Sequence, residues 1–533
     1  MTSQHQFSHA PSVAIQRSQF NLSHPNSTAF DADYLVPLTH PIDIMPGDTF
    51  NWRMEFFMRL ATPIHPIMDN LHFESFFFFV PYRLIWDNFE KFHGAQDDPG
   101  DSIDFTIPVC GTAGTVGLND LGDYFGLPLD IDTAQTNFSA LPFRAYRLIY
   151  NDWFRDENLI DSVTVATDNG PDTNAVSGWS DPPLKRRKRF DYLTSCLPWP
   201  QKGTAVSLPL GSSATVLGSQ TAVPSFETTS SADRGSLQIT NAGGDNEGLS
   251  TTGAGGSETI AVRFKAVDQG LYADLTNATA ATINDIRLAF QTQRLLEKDA
   301  RMGTRYVEAI KAHWGVTSPD FRLQRPEFLG GGSSRVNVTP VAQTSGQATP
   351  TADDKLGELA GFGTVHGNHG FTQSFTEHGV VIVLGNLRAD ITYTQGLGRY
   401  WSKSTRYDFF YPVLAQIGEQ AVYNKEIYWQ GTAADDNVFG YQERYAEDRY
   451  IGGLKTGIMR PGATGSLATW NLSEEFSSLP TLSQSFIESN TSDPLDRAIA
   501  VSTEPHLIAD IYHHVTAARP MPLFGIPGNM DRL

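Results

Sequence analysis

Between residues 46 and 86 two β-strands can be read one after the other, and no other stretch limits the fold so tightly. From Phe50 to Leu60 every second residue is apolar (Phe50, Trp52, Met54, Phe56, Met58, Leu60), with Asn51, Arg53, Glu55 and Arg59 between them. A period of two sends one set into a core and the other toward polar surroundings. Met45, Pro46, Gly47 and Asp48 precede this run in the order a type II turn needs: proline presets φ at the second position and glycine accepts positive φ at the third. The strand therefore starts at about Asp48.

After Pro63 and Pro66 the alternation resumes. Leu71, Phe73, Ser75, Phe77 and Phe79 share one face, while His72, Glu74, Phe76, Phe78 and Val80 share the other, which turns from polar to aromatic midway. An outer face that becomes aromatic has to be covered, either by an insertion of the same chain or by a second subunit. Phe76 and Phe78 are candidate subunit contacts on the second alternative.

Charge and cysteine usage narrow the classes. With 59 acidic against 39 basic residues the net charge is −20, which excludes a protein that coats nucleic acid along its whole surface, because that binding needs Lys and Arg to release phosphate counterions. Charged residues make up only 18% of the chain, a surface poor in charge that fits coverage by neighbours. Cys110 and Cys196 are the only cysteines, so a disulfide framework or a cysteine zinc site is excluded and a single bridge stays open. The N-terminal residues lack a basic region followed by an apolar one, and no apolar run reaches the roughly 18 residues of a membrane span. The expectation is a soluble chain without membrane insertion and not exported by a cleaved signal.

Taken in order, residues 1–45 carry Pro11, Pro25, Pro37 and Pro41 and no sustained period, and read as an extended N-terminal arm. His5, His9, His24 and His40 read as solvated or hydrogen-bonded side chains. Ile85, Phe89 and Phe92 predict a short helix ended by Gly94, and residues 105–109 a short strand. Pro142 near a first turn, followed by Phe143, Tyr146, Tyr150, Trp153 and Phe154, predicts the strongest helix, its aromatic stripe facing a core. From Thr204 to Val262 the composition shifts to Gly, Ser, Thr and Ala; so long a stretch without helical period is a functional insertion or a disordered segment, short alternating pieces such as Ser236 to Thr240 permit an ordered β-rich projection, and the reading taken is an exposed module. Residues 280–314 return to helix, apolar on two sides and hence expected to be buried on two sides. Gly330, Gly331 and Gly332 lack the ending of a phosphate loop and read as a flexible turn. Strands follow at 379–384, 390–394 and 507–516, and the proline-rich tail 519–533 reads as a second docking arm, with Pro520, Pro522 and Phe524 as candidate subunit contacts.

The sequence holds one dense basic cluster and no catalytic constellation. Lys185, Arg186, Arg187, Lys188 and Arg189 form the only dense basic run, either a phosphate-binding patch or a run neutralised by carboxylates. His366 and His369 have no identifiable third ligand, and no nucleophile elbow, zincin or dinucleotide fingerprint occurs. No catalytic residue, metal or cofactor is nominated. A mainly β chain with few charges, an arm at each end and one large polar insertion suggests a subunit that assembles.

Several long stretches carry a family resemblance: HPNSTAFDADYLVPLTHPIDIMPGDTF at 24–50, LPFRAYRLIYNDWFRDENL at 141–159, LKRRKRFDYLTSCLPWPQKG at 184–203, QRPEFLGGGSSRVNV at 324–338 and YWSKSTRYDFFYPVLAQIGEQAVYNKEIY at 400–428. Together they resemble the major capsid protein of gokushoviruses, small tailless single-stranded DNA phages of the Microviridae. The resemblance implies an eight-stranded viral jelly roll, a β-sandwich with long insertions, connecting helices and terminal arms, repeated in a T=1 icosahedral shell. On it the chain divides into an arm (1–45), the first part of the jelly roll (46–203), a surface protrusion at the threefold axes for host attachment (204–262), the remainder of the jelly roll (263–518) and a second arm (519–533). It further implies a virion shell protein assembled in the bacterial host cytoplasm. The implied partners are further copies of itself, an internal scaffolding protein, a DNA pilot protein, a small basic DNA-packaging protein, a circular single-stranded DNA genome facing residues 185–189, and a host cell-surface receptor. The competing reading is a glycan-binding β-sandwich.

Overall fold

The computed structural model describes residues 16–111, 114–130, 137–206, 283–344 and 356–525, together with six short strands between 215 and 274. Within the larger of two compact units, Met1–Lys202 with Asp299–Leu533, the chain is a mainly β sandwich of two antiparallel sheets. The sandwich strands are β1 (Ser18–Asn21), β2 (His24–Phe30), β3 (Val36–Pro37), β4 (Ile42–Ile44), β5 (Thr49–Leu60), β6 (Leu71–Pro81), β7 (Glu327–Arg335), β8 (Asn337–Ala342), β9 (Leu359–Ser374), β10 (Gly379–Ala389) and β11 (Leu507–Arg519). One sheet runs β1-β11-β5-β9-β8 with β2 also on β11, and the other runs β7-β6-β10-β3 with β4 also on β10.

The alternation of β5 is realised as read. Phe50, Trp52, Met54, Phe56, Met58 and Leu60 are all buried between the sheets, against Phe73, Phe77 and Phe79 of β6 and Val381, Val383 and Leu387 of β10. The turn before β5 closes with the Asp48 N–H donating to the Met45 carbonyl at 3.0 Å, and Gly47 has φ 93°. β11 pairs with β5 over twelve positions, from Leu507↔Leu60 to Ala518↔Thr49. The last long strand of the chain is thus the neighbour of the first.

The second sheet is buried on both faces, which is why β10 reads GVVIVL without alternation. Its outer face meets helix α1 (Leu141–Ile149) and the π-helical turn Tyr150–Phe154 that continues it. Phe143, Tyr146, Tyr150 and Phe154 form an outer core with Phe78, Val80, Ile382 and Leu384. The helix is tied down by Arg144, whose guanidinium lies fully buried with Nε 2.8 Å and Nη2 2.5 Å from the Asp172 carboxylate. The helix between 84 and 92 is shorter than its spacing suggested, a four-residue turn at Phe89–Phe92.

Three expectations are corrected by long-range pairing. Residues 18–44 are not an arm free for other surfaces: β1 and β2 pair with β11, and β3 and β4 pair with β10. Among the early histidines, His24 is hydrogen-bonded to the Leu22 carbonyl at 2.9 Å and to Thr39 Oγ1 at 2.7 Å, while His5 and His9 lie outside the described residues. Gly330, Gly331 and Gly332 are strand rather than turn, because at this edge the sheets close together. A Cβ on Gly330 would sit 2.9 Å from the Gly370 carbonyl oxygen of the facing sheet and one on Gly332 2.4 Å from the His369 ring, while one on Gly331 would sit 2.3 Å from the Ser75 carbonyl oxygen of the neighbouring strand. His369 likewise lies on strand β9, where its ring nitrogens reach Ser75 Oγ at 2.7 Å and Ser334 Oγ at 3.3 Å and so link the two sheets. The third correction shortens the strand expected at 390–394 to Thr392–Tyr393, which pairs with Ser473–Glu474 outside the two main sheets.

The helix expected over 280–314 divides into α2 (Ile283–Arg301) and α3 (Tyr306–Trp314). It is not buried on two sides: Ile286, Ala289 and Leu296 are half covered, while Leu288, Phe290 and Leu295 are exposed. The second compact unit is Gly203–Lys298. It starts beside Thr204 but runs past Val262, because Leu271–Asp274 pairs with Thr215–Gly218. Inside that ladder in sequence lie Phe226–Thr228 with Val262–Phe264, and inside that Gln238–Thr240 with Gly248–Ser250.

One buried imidazole makes the sandwich pH-sensitive. His513 on β11 accepts the Trp52 indole N–H at Nδ1 and contacts the Leu38 carbonyl through Nε2, both at 3.1 Å. Indole nitrogen only donates, so Nδ1 must be unprotonated and Nε2–H is the donor to Leu38. Burial pulls this imidazole down to about 4, and the neighbouring His24 and His40 rings act in the same direction. The unfolded chain takes up a proton near pH 6.5 that the folded chain refuses until about 4. Stability is therefore fully present above pH 6.5 and falls by on the order of 3 kcal/mol as pH drops through that window. The expected outcome is that His513→Gln shows a smaller loss of apparent melting temperature between pH 7.5 and pH 5 than the parent chain; equal losses would show that His513 is not the group responsible.

Candidate functional site

The basic run is an extended segment threaded between two others, with single bridges at Tyr34↔Lys185 and Arg187↔Glu488. Arg186 N–H donates to the Asp33 carbonyl at 3.0 Å, Lys188 N–H to the Ile487 carbonyl at 2.7 Å, and Ser489 N–H to the Arg186 carbonyl at 2.7 Å. Upstream, Tyr146 of α1 holds the entry: its hydroxyl donates to the Leu35 carbonyl at 2.9 Å and accepts the Leu184 N–H at 2.9 Å. An extended backbone sends neighbouring side chains to opposite sides. Five consecutive cations are therefore split and do not form one basic face.

Arg186 and Lys188 turn into the protein. Arg186 pairs with Glu74, whose other oxygen takes Arg388 Nη2 at 2.8 Å. The Arg186 guanidinium also lies 5.0 Å over the Phe76 ring and 5.3 Å over Phe154. Burial, reinforced by the like charge of Arg388, pulls it down to about 10, still protonated at neutral pH. Burial alone would push the Glu74 carboxyl up, but the two guanidiniums together hold it below the usual carboxylate range. Lys188 is buried, with Nζ 3.0 Å from Glu474 Oε2 and 4.6 Å over the Phe486 ring. Both charges are neutralised by the chain's own carboxylates.

Lys185, Arg187 and Arg189 take the other side. Arg189 makes an exposed pair with Asp390 at 3.0 Å. Lys185 stands 5.3 Å over the Tyr34 ring and Arg187 3.7 Å over Phe190, and among the described residues no carboxylate forms an ion pair with either. Arg187 and Phe190 line a cleft of about 1000 Å³ together with Asp156, Arg305 and Tyr450. Two other cations of this cleft are engaged, Arg305 on Glu157 and Arg301 on Glu419 and Glu443.

The aromatic contact residues divide in the same way. Phe78 is 1% exposed, packed by Trp153, Phe154 and Phe328 at ring-centroid distances of 5.4, 5.8 and 5.6 Å. Phe76 meets Phe154 at 5.0 Å beneath Arg186. The cover over this face is thus an insertion of the same chain, and neither residue needs a second subunit. Pro520 is half-buried, while Pro522 and Phe524 are exposed beyond the end of β11, Phe524 at 78%; residues 526–533 lie outside the described residues. Of the insertion expected at 204–262, only the short ladders given above are described. Among the described residues no group of three His, Cys, Asp or Glu side chains could hold a metal.

One surface went unread in the sequence. Tyr400, Trp401, Tyr407, Phe409 and Val413 stand open to solvent in a single segment. The signal was present in YWSKSTRYDFFYPV, but dense aromatics without a period of 2 or 3.6 do not say which way they point.

A sequence model of the family described as "Capsid protein (F protein)" matches residues 8–529. The chain is 46% identical over 541 residues to "Capsid protein VP1" of Bdellovibrio phage phiMH2K, covering 99% of this chain and 98% of that protein. It is 39% identical over 585 residues to "Capsid protein VP1" of Chlamydia phage 1, and 34% identical over 553 residues to that of Spiroplasma virus 4; each alignment covers 98% of this chain and 97% of the relative. A match from end to end leaves no part of the sandwich or its insertions outside the likeness, and the chain belongs to the phage capsid protein (F protein) family, whose members are structural proteins of the virion.

Proposed function

We propose that this major capsid protein assembles into a closed T=1 icosahedral shell of eight-stranded jelly rolls around a circular single-stranded DNA genome, and presents its insertion to the host surface. The observation that carries the assembly reading is the exposed apolar surface. Trp401, Val413, Ile451 and Leu454 are between 75% and 96% open, and patches of this kind on a folded chain mark association sites. Closed symmetry gives every copy of such a patch a partner. The tail residues Pro520, Pro522 and Phe524 are proposed subunit contacts for the same reason.

Genome contact is proposed for Lys185, Arg187 and Arg189, which keep their charges outside the Glu74 and Glu474 pairs. A subunit of charge −20 repels DNA overall, so a small basic packaging protein or cations would supply much of the neutralisation. An internal scaffolding protein and a DNA pilot protein are the remaining proposed partners, with assembly in the bacterial cytoplasm. The protruding module is proposed to be the 204–262 insertion together with the strand that closes it at Leu271–Asp274.

Electron microscopy of the purified protein, with and without a scaffolding partner, tests the assembly reading: closed particles are expected, and folded monomers under both conditions would overturn assembly by this chain with that partner. Replacing 204–282 by a Gly-Ser linker, which removes both strands of the outer ladder, is expected to preserve shells and abolish attachment to host cells. Loss of folding would instead make the module part of the core. For the basic run, Lys185→Ala, Arg187→Ala and Arg189→Ala combined should leave the melting temperature unchanged and lower the salt slope of single-stranded DNA binding by about 2. Glu74→Gln should instead cost about 3–5 kcal/mol of stability, because it leaves Arg186 and Arg388 buried without a counter-charge.

A further inference from the structure

We propose that the segment 399–417 is a contact surface for a second copy of this chain, an assignment that rests on the assembly reading and locates it. The segment is three short turns, Arg399–Ser402, Arg406–Asp408 and Pro412–Gln416. Its polar groups are used inward. Arg399 Nη1 donates to the Ala421 carbonyl at 2.8 Å and pairs with Glu426 at 3.1 Å. The Thr405 and Ser404 N–H groups bond the Asp408 carboxylate at 2.7 and 3.0 Å. Arg444 Nη2 and the Tyr445 hydroxyl both reach the Tyr407 carbonyl, at 3.0 and 3.3 Å, and the Phe410 ring meets Tyr445 edge-on at 5.3 Å.

Braced from behind, the segment turns its apolar side chains outward. Tyr400, Trp401, Tyr407, Phe409, Val413 and Ile417 are all more than half exposed, Trp401 at 75% and Val413 at 87%. Surface loops ordinarily show polar side chains to water and hold their backbone loosely. Here that arrangement is reversed, and rigid aromatics lose little entropy when they are covered. At roughly 150–250 Å² per aromatic side chain, these residues offer on the order of 800 Å² of contact, the share one partner buries in a standard interface.

Charge selects the occupant. A nucleic acid would need several free cations, but Lys403 is paired with Asp448 at 3.2 Å and Arg399 with Glu426 and Glu447. Among the described residues Arg406 and Arg444 are the cations of this surface with no carboxylate pair. Two positive charges within an aromatic field suit an acidic protein surface. A second copy, which carries 59 acidic against 39 basic residues, supplies one.

The test uses the full chain under conditions where the parent forms particles. Tyr400→Ser, Trp401→Ser and Val413→Asp combined, with Val413→Asp alone as the milder variant, should melt at the parent temperature and yield at least tenfold fewer particles by sedimentation and microscopy. In the parent, the fluorescence lost on Trp401→Phe should become protected from acrylamide quenching when particles form. Normal particle yield from both variants, with Trp401 equally quenchable in subunits and particles, overturns this surface and leaves the assembly reading standing. Protection of Trp401 only when a scaffolding protein or DNA is added, and not in particles of this chain alone, assigns the surface to that partner and also overturns the proposal. A parent chain that forms no particles with or without its partners overturns the assembly reading and this surface with it.

Discussion

The sheet containing β6 and β10 is apolar on both faces, and the rest of the structure follows from the need to cover both. The inner face is met by β5, β9 and β11 across the sandwich. The outer face is met by α1 and its π-helical continuation, which bury Phe78, Ile382 and Leu384 beneath Phe143, Tyr146 and Phe154. Each large side chain moved out of water contributes about 1.5–3 kcal/mol, so an uncovered outer face would forgo a sizeable part of the driving force. An antiparallel sheet with one wet face would have needed polar residues where β10 has Val380, Ile382 and Leu384.

That cover also organises the charges. Because α1 lies on the sheet, Tyr146 can bridge the Leu35 carbonyl and the Leu184 N–H, and the basic run that begins at Lys185 is threaded beside β3. Glu74 then finds itself between Arg186 and Arg388. A carboxylate on the outer face of a buried strand is tolerable only with counter-charges at hand. Two members of the basic run supply that need and its analogue at Glu474, and three remain turned outward. Cations that pair inside the protein and cations left outside those pairs are thus divided along one extended segment by the alternation of its backbone.

Close packing of the two sheets has its own requirement at the β7–β9 edge. A Cβ on Gly330 would meet the Gly370 carbonyl oxygen of the facing sheet at 2.9 Å, and one on Gly332 the His369 ring at 2.4 Å, so glycine here is a packing choice and not a sign of a turn. His369 spans the same edge between Ser75 and Ser334, a polar link that the spacing of His366 and His369 in the sequence does not reveal. By contrast, the aromatic side chains of 399–417 lie open to solvent among the described residues, and the proposed second copy of the chain would cover them.

Local pattern by itself determined the parts of this protein that depend on neighbours in sequence. The two-residue period of Phe50 to Leu60, the Pro46-Gly47 turn, the aromatic stripe of 143–154 and the compositional break near Thr204 were all legible, because strand pleat, turn dihedrals and helix pitch act over a few residues. The long stretches at 24–50, 141–159, 184–203, 324–338 and 400–428 also carried the family resemblance. What the sequence could not decide was which apolar or charged face meets which partner. Phe76 and Phe78 looked equally fit for a second subunit or an insertion, and only the fold brought Trp153 and Phe154 over them. Arg186 meets Glu74 across 112 positions and Lys188 meets Glu474 across 286; the early strands 18–44 looked free until β10 and β11 took them as neighbours. Periodicity reports that a face must be covered, and the identity of the cover is a long-range contact that no local period encodes.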